Sequence, residues 1–250
     1  MKKVIILNKK EGETPLQSLE SFRIKNKEYV NMPMTYAGRL DPMASGVLVV
    51  LAGDECKNKD KYLKLDKEYD FEILFGFATD TYDILGKIAE CKILDLIQKD
   101  LENKIRQNLK FFTGKFSQKY PIYSSQTVQG KHLFEYARAG VEVKVPTHKV
   151  EVKSLKFLKI RKACGDVLFK KIKKRISKVE GDFRQKEILK NWEKVLQGSQ
   201  DKFYIASFHI KCGSGTYVRS ISNDLGEKLG IPALALTIVR TKVGKWGKVR

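Results

Sequence analysis

Ala37-Gly38-Arg39-Leu40-Asp41-Pro42-Met43-Ala44-Ser45-Gly46-Val47-Leu48-Val49-Val50 sets one carboxylate, Asp41, in a tight turn between a glycine and the apolar run Val47–Leu51. Pro42 fixes its own φ and biases Asp41 away from helical backbone, so the turn feeds a strand. An acid held in this way beside a buried strand moves little and can be aimed at a substrate. Asp-Pro pairs alone are common at turns and helix starts. The length of the pattern from Gly38 to Leu48 sets this pair apart.

Outward from that turn, strands and helices interleave. Val4–Leu7 reads as a first strand. Thr14-Pro15-Leu16-Gln17 supplies a cap, a proline in the first turn and a capping-box glutamine, which predicts a helix over Pro15–Lys25. Glu55–Leu63 reads as helix and Glu68–Phe75 as strand. Asp95 is expected to cap a helix over about Leu96–Phe111. Lys131–Arg138 is expected to be a short helix ending at Gly140, and Val150–Ile160 to be extended. Phe203–Lys211 alternates as a strand. Thr216–Leu229 is a helix closed by Gly230, with Pro232 beyond. The pattern predicts an α+β or α/β protein, a mixed sheet flanked by helices, forming one domain over residues 1–250. Within it, Arg161–Lys202 reads as a basic insertion with 13 Lys/Arg against 6 Asp/Glu and a helix from about Arg184 to Leu196. As a charged arm, this segment is expected to add phosphate contacts and to be replaceable by a linker without loss of chemistry.

Composition narrows the partners. Lys+Arg 49 against Asp+Glu 29 gives a net charge of +20. Such a field draws nucleic acid, because neutralising phosphates releases counterions. An anionic membrane surface is the alternative reading of the charge; the longest apolar run, Val47–Ala52, is far too short to span a bilayer, and no membrane partner is expected. Met1–Asn8 is basic then apolar without a cleavage site, and reads as a strand rather than a signal peptide. Cys56, Cys91, Cys164 and Cys212 have no zinc-knuckle spacing, and no histidine pair completes a site. They read as reduced thiols of a cytoplasmic protein, and no metal is expected.

Five further segments carry chemistry-bearing residues. Lys67-Glu68-Tyr69 opens a strand, and Tyr69 is either a core aromatic or a ring that stacks on an unstacked base. Thr79-Asp80-Thr81-Tyr82-Asp83 reads as an Asx turn, since no EF-hand spacing accompanies its carboxylates. Gln118-Lys119-Tyr120-Pro121-Ile122-Tyr123-Ser124-Ser125 leads to Gly130-Lys131-His132-Leu133-Phe134-Glu135-Tyr136-Ala137-Arg138-Ala139-Gly140, a basic, aromatic, serine-rich loop ahead of a short helix, suited to phosphate and base contacts. Gly213-Ser214-Gly215-Thr216-Tyr217-Val218-Arg219-Ser220-Ile221 runs from strand to helix, with too few glycines for a dinucleotide fingerprint. Leu234–Trp246, with Arg240-Thr241-Lys242-Val243-Gly244, closes the chain.

Taken together and in this order, these segments resemble the TruB family of pseudouridine synthases, which isomerises one uridine in the T loop of tRNA. The resemblance covers about residues 1–160 and 203–246. It implies the pseudouridine synthase fold, with a largely antiparallel central sheet. It implies base flipping into a pocket, catalysis by Asp41 with Tyr69 packed on the uracil, and Arg219 paired with Asp41. It further implies RNA contacts from Tyr36, Arg39, Tyr123, Lys131, Arg138 and Tyr217, with Leu236 of the closing strand lining the uracil pocket. The partner implied is the tRNA T arm. No cofactor and no protein partner are expected, and the chain is expected to be monomeric.

Three departures stand out. Tyr36 occupies the place of a family histidine that holds the flipped nucleotide. Arg39 replaces the usual Thr or Ala, and Gly38-Arg39-Leu40-Asp41 echoes the ribosomal-RNA branch of the synthases. The insertion Arg161–Lys202 is added, and the family's C-terminal RNA-binding PUA domain is expected to be missing. The rival readings are a non-catalytic tRNA-binding or folding protein and a synthase acting on ribosomal RNA.

Overall fold

In the computed structural model, which describes residues 2–247, strand β1 (Val4–Lys9) leads into helix α1 (Pro15–Lys25). The capping box forms as its residues require: Gln17 N–H donates to Thr14 Oγ1 at 3.2 Å, and Thr14 N–H to Gln17 Oε1 at 2.7 Å. Strands β2 (Met34–Ala37) and β3 (Ala44–Ala52) flank the Asp41 turn. The helix expected over Glu55–Leu63 is split into a 3-10 stretch, Gly53–Asn58, and α2 (Lys59–Leu63). Strand β4 (Lys67–Phe75) follows, then a hairpin of β5 (Phe77–Thr79) and β6 (Ile88–Cys91).

Asp95 does not cap α3 (Gln98–Asn108), which starts later than expected and gives way to 3-10 helix at Leu109–Phe112. The Leu96 carbonyl accepts the Tyr204 hydroxyl at 2.6 Å, and this holds the preceding segment extended against the core. After β7 (Gly114–Lys119), strands β8 (Thr127–Val128) and β9 (Lys131–His132) pair with each other. That pairing delays α4 to Leu133–Ala139, and Gly140, at φ 65°, closes it. Then come β10 (Thr147–Cys164), α5 (Gly165–Ile176), α6 (Gln185–Leu196), β11 (Lys202–Cys212), α7 (Val218–Leu229), β12 (Ala233–Val243) and β13 (Trp246–Gly247).

The main sheet runs β1-β3-β12-β4-β11-β10-β7, with β2 beside β3 and β13 beside β12. Its pairings are antiparallel except β12 with β3. At that parallel contact Gly46 has φ 107°, and a Cβ there would lie 2.2 Å from the Arg240 carbonyl oxygen. Only glycine lets the two strands meet so closely. Phe71, Ile73 and Phe75 face a core completed by Phe208, Ile210 and residues of α3 and α7. Leu74 faces the opposite side, with Phe203, Ile205 and Leu234.

That second side corrects the expectation of a solvated basic arm. Leu168, Phe169 and Ile172 of α5 and Ile188, Trp192 and Leu196 of α6 are buried against the sheet. Trp192 packs against Phe77 with the rings tilted at 48° and their centroids 5.1 Å apart, and donates its indole N–H to the Ile84 carbonyl at 3.1 Å. The lysines of this segment occupy the outer stripe of two amphipathic helices. Excising Arg161–Lys202 would open a core, so linker replacement is no clean test of RNA binding.

On α7, burial and the neighbouring Glu227 carboxylate push Asp224 up to about 6 from 3.8. A carboxyl whose folded pKa is raised stabilises the fold below its unfolded pKa and loses that contribution as pH rises through the folded one. Asp224→Asn should therefore melt above the wild type at pH 8 and close to it at pH 4. Thermal melts at the two pH values check this; an equal difference at both would exclude the linkage.

Candidate active site

The turn between β2 and β3 is fastened from below before any substrate enters. Arg240 of β12 is 1% exposed, and its guanidinium donates to the carbonyls of Val47 (2.7 Å), Gly38 (3.0 Å) and Arg39 (3.4 Å). Lys9 Nζ donates to Lys10 O and to Pro42 O, and the Gly12 N–H also donates to Pro42 O at 2.9 Å. Burial lowers the Lys9 ammonium to about 8 against the pull of the Glu13 and Asp41 carboxylates. Burial and then Arg240 lower Lys67 likewise to about 8, while its Nζ donates to the Leu63 carbonyl.

Asp41 is held from the other side by Arg219, on the first turn of α7. Arg219 Nε donates to Asp41 Oδ2 at 2.7 Å and Nη2 to Oδ1 at 3.1 Å, the bidentate geometry that fits a guanidinium to a carboxylate. Its Nη1 donates to the Thr81 carbonyl at 2.6 Å, and Nη2 also reaches the Tyr123 carbonyl at 3.1 Å. Asp83 Oδ2 lies 3.9 Å from Nε. The Arg219 side chain is 4% exposed and that of Asp41 34%, so the cation is walled in while the carboxylate keeps a face open to the cleft. Burial works against the Arg219 charge, but Asp41 and Asp83 outweigh it and raise its pKa. Burial raises the Asp83 carboxyl, and Arg219 holds it back. Asp83 Oδ1 accepts from the Thr81 hydroxyl and the Leu85 N–H, which makes the expected Asx turn and also a second acid facing the guanidinium.

These residues floor a cleft of about 710 Å³, a size common for ligand sites. Tyr69 is buried in its wall, opposite Arg240 in the β4–β12 pairing. Burial raises its hydroxyl pKa, Arg240 acting against this. Tyr217 is pinned by reciprocal hydrogen bonds with the Gln118 amide, at 2.9 and 3.1 Å, and stands edge-on to Tyr120 and His148. Burial, then Asp41, pushes its hydroxyl up to about 12. Tyr36, Arg39, Tyr123 and Arg138 also line the cleft. Ser124 Oγ, in the same wall, is buried with no hydrogen-bond partner among the described residues.

Two sequence-based expectations fall elsewhere. Lys131 is exposed on β9, outside the cleft lining. Leu236 packs in the core under α5 and α6, and Ile238 lines the cleft instead. The β12–β4 register slips between Ala235 and Thr237, and this bulge changes which residues of β12 face the cleft. Arg240, Asp83 and Lys67 were not singled out from the sequence as site residues. An arginine within the apolar pattern of Leu234–Val243 was the available signal, since a buried charge must find partners. Among the described residues, no group of His, Cys, Asp and Glu is arranged to hold a metal ion, and no helix is long and apolar enough to cross a membrane.

Residues 26–183 match the family model described as TruB family pseudouridylate synthase (N terminal domain). The tRNA pseudouridine synthase B of Lactobacillus acidophilus is 33% identical over 231 residues, covering 92% of this chain and 65% of that protein. That of Caldanaerobacter subterraneus subsp. tengcongensis is 34% identical over 213 residues, covering 84% and 58%. That of Bacillus subtilis is 31% identical over 245 residues, covering 96% and 65%. The chain thus spans less than two thirds of the length of these curated relatives. Among solved structures, a Cbf5-Nop10-Gar1 complex matches with TM-score 0.57 and 18% identity, over 98% of this chain and 50% of that one. An H/ACA RNP bound to a substrate RNA containing 2'-deoxyuridine matches with TM-score 0.56 and 18% identity, over 98% and 49%. At that identity the likeness establishes the fold.

Proposed function

This chain belongs to the TruB family of pseudouridylate synthases, and on that premise we propose that it isomerises uridine to pseudouridine in tRNA, at the uridine of the T loop. The observation that carries the reading is the Asp41–Arg219 pair on the floor of a tyrosine-lined cleft, with one face of the carboxylate left open. The reaction breaks the N1–C1′ bond, turns the uracil and forms a C5–C1′ bond; the C5 proton leaves and N1 gains one. A uridine in a folded loop must be flipped out to undergo this.

Asp41 acts as the ionised carboxylate, through attack at C1′, attack at C6 or removal of a sugar proton; all three need a carboxylate at this one place. Arg219 supplies its counter-charge once the base excludes water, when fixed charges act most strongly. Tyr69 offers a ring for the base to stack on. Arg39 and Arg138 line the cleft, and the +20 charge draws the RNA backbone toward it. A module that merely gripped RNA would not need Asp41, Tyr69 and Arg219 together at one place.

The test is incubation of the purified chain with unmodified tRNA transcripts and with ribosomal RNA, followed by tritium release from C5-labelled uridine and mapping of pseudouridine. Release from the T loop of tRNA alone is the expected result. Tight tRNA binding with no pseudouridine would establish the binding-only reading, and product in ribosomal RNA alone would move the substrate.

A further inference from the structure

The connector between α5 and α6 reaches the cleft. Phe183 and Arg184 line it alongside Asp41, although they belong to the segment that composition marks as a charged arm. Arg184 takes a left-handed backbone, φ 62° and ψ 24°, at the start of α6. Non-glycine residues adopt that conformation at a cost, and it persists where surroundings hold it.

What holds Arg184 is informative. Its Nη1 donates to Asp80 Oδ2 at 2.7 Å and Nη2 to Oδ1 at 3.4 Å, while its guanidinium lies 4.5 Å from the centre of the Tyr123 ring. Asp80 adjoins Thr81, and the carbonyls of Thr81 and Tyr123 are the two that receive the Arg219 guanidinium. One arginine therefore ties together the two backbone segments that cradle another. Around it the connector is docked on several sides. Asp182 O accepts from Arg138, Glu180 accepts from Gln17 of α1, and Arg175 at the end of α5 pairs with Glu11. Beneath it Trp192 is anchored to the Ile84 carbonyl.

We propose that Arg184 is a positioning residue for the reaction: by clamping Asp80 to Tyr123 it sets the two carbonyls that orient Arg219, and through Arg219 it aims Asp41. The proposal rests on the isomerase reading above. Both partners of Arg184 are already on the protein, so its loss changes aim more than grip. Small misplacements of reacting groups cost rate steeply.

The experiment compares the full chain with Arg184→Ala, Asp80→Asn, the double variant and Arg184→Lys. It reads single-turnover tritium release from tRNA transcript, tRNA affinity across a salt series, and thermal melting. Both single variants should slow the single-turnover rate about tenfold. The double variant should be no slower than the worse single, because the Arg184–Asp80 pair is the contact that both break. Arg184→Lys, which keeps the charge but not the planar fork, should recover part of the rate. Affinity should stay within about twofold and its salt slope unchanged.

A wild-type rate in Arg184→Ala overturns the proposal. So does weakened binding with a flattened salt slope and an intact rate, which would make Arg184 a phosphate contact. If Arg184→Ala does not fold, the near-isosteric Asp80→Asn decides, and a wild-type rate there overturns the proposal equally. A wild-type chain that releases no tritium from tRNA refutes the isomerase reading, a result distinct from any failure of Arg184.

Discussion

Asp41→Asn is expected to lower turnover on tRNA by about a thousandfold or more while leaving tRNA affinity within a few-fold. The amide matches the carboxylate in size but carries no charge and attacks nothing, and losing the reacting group of an active site typically costs this much or more. Affinity is expected to survive because most of the RNA contact is electrostatic and lies outside this side chain. The replacement also leaves one Arg219 donor unmatched, since Arg219 offers Nε to one oxygen and Nη2 to the other while an amide has a single acceptor. Melting curves separate that structural cost from the chemical one. Activity within tenfold of wild type, measured by tritium release, would remove Asp41 from the reaction.

Arg219→Ala is expected to be the most damaging substitution to both fold and chemistry. It strands the buried Asp83 carboxylate and takes a donor from the carbonyls of Thr81 and Tyr123. Breaking a buried charge pair from one side costs about 3–5 kcal/mol. The loss should depend on pH. Burial already raises Asp83, and Arg219 is the group holding it down; without the cation its folded pKa rises further. A raised carboxyl keeps its stabilising contribution below its unfolded pKa and loses it as pH rises through the folded one, so the deficit of the variant should be larger at pH 8 than at pH 5. Adding Asp83→Asn should recover part of the loss at pH 8 and little at pH 5. Urea titrations at the two pH values decide the matter: a deficit that does not depend on pH, with turnover intact, would separate Arg219 from both acids.

Where local chemistry determines a boundary, the chain is readable. Thr14 and Pro15 start α1 at the expected residue, glycines at 140 and 230 stop two helices, and the alternation of Phe203–Lys211 is a strand. Reading fails where a distant contact overrides the local one. Asp95 loses its cap to the Tyr204–Leu96 bond, and one bulge exchanges Leu236 for Ile238 at the cleft. Charge misled most: the lysines of α5 and α6 hide an apolar stripe that holds Trp192 fully buried. Within the site, Asp41 and Arg219 stood out through the length of their motifs. Lys9 looks like any surface cation until the strands that bury it are paired, and only the apolar pattern of Leu234–Val243 sets Arg240 apart.

The Asp41 loop also has a birth order. Arg240 is 193 residues later in the chain than the Val47 carbonyl it binds, and Arg219 is 178 residues later than Asp41. At ordinary elongation rates, a ribosome needs on the order of 10–40 s to make that stretch. Throughout that interval the N-terminal strands can pair with one another, while the edge of β3 that receives β12 stays open. Nascent chains therefore carry Asp41 without the guanidinium that orients its carboxylate. The wait leaves the Ala44–Gly46 stretch of that edge unpaired, and an open strand edge is a template for wrong pairing.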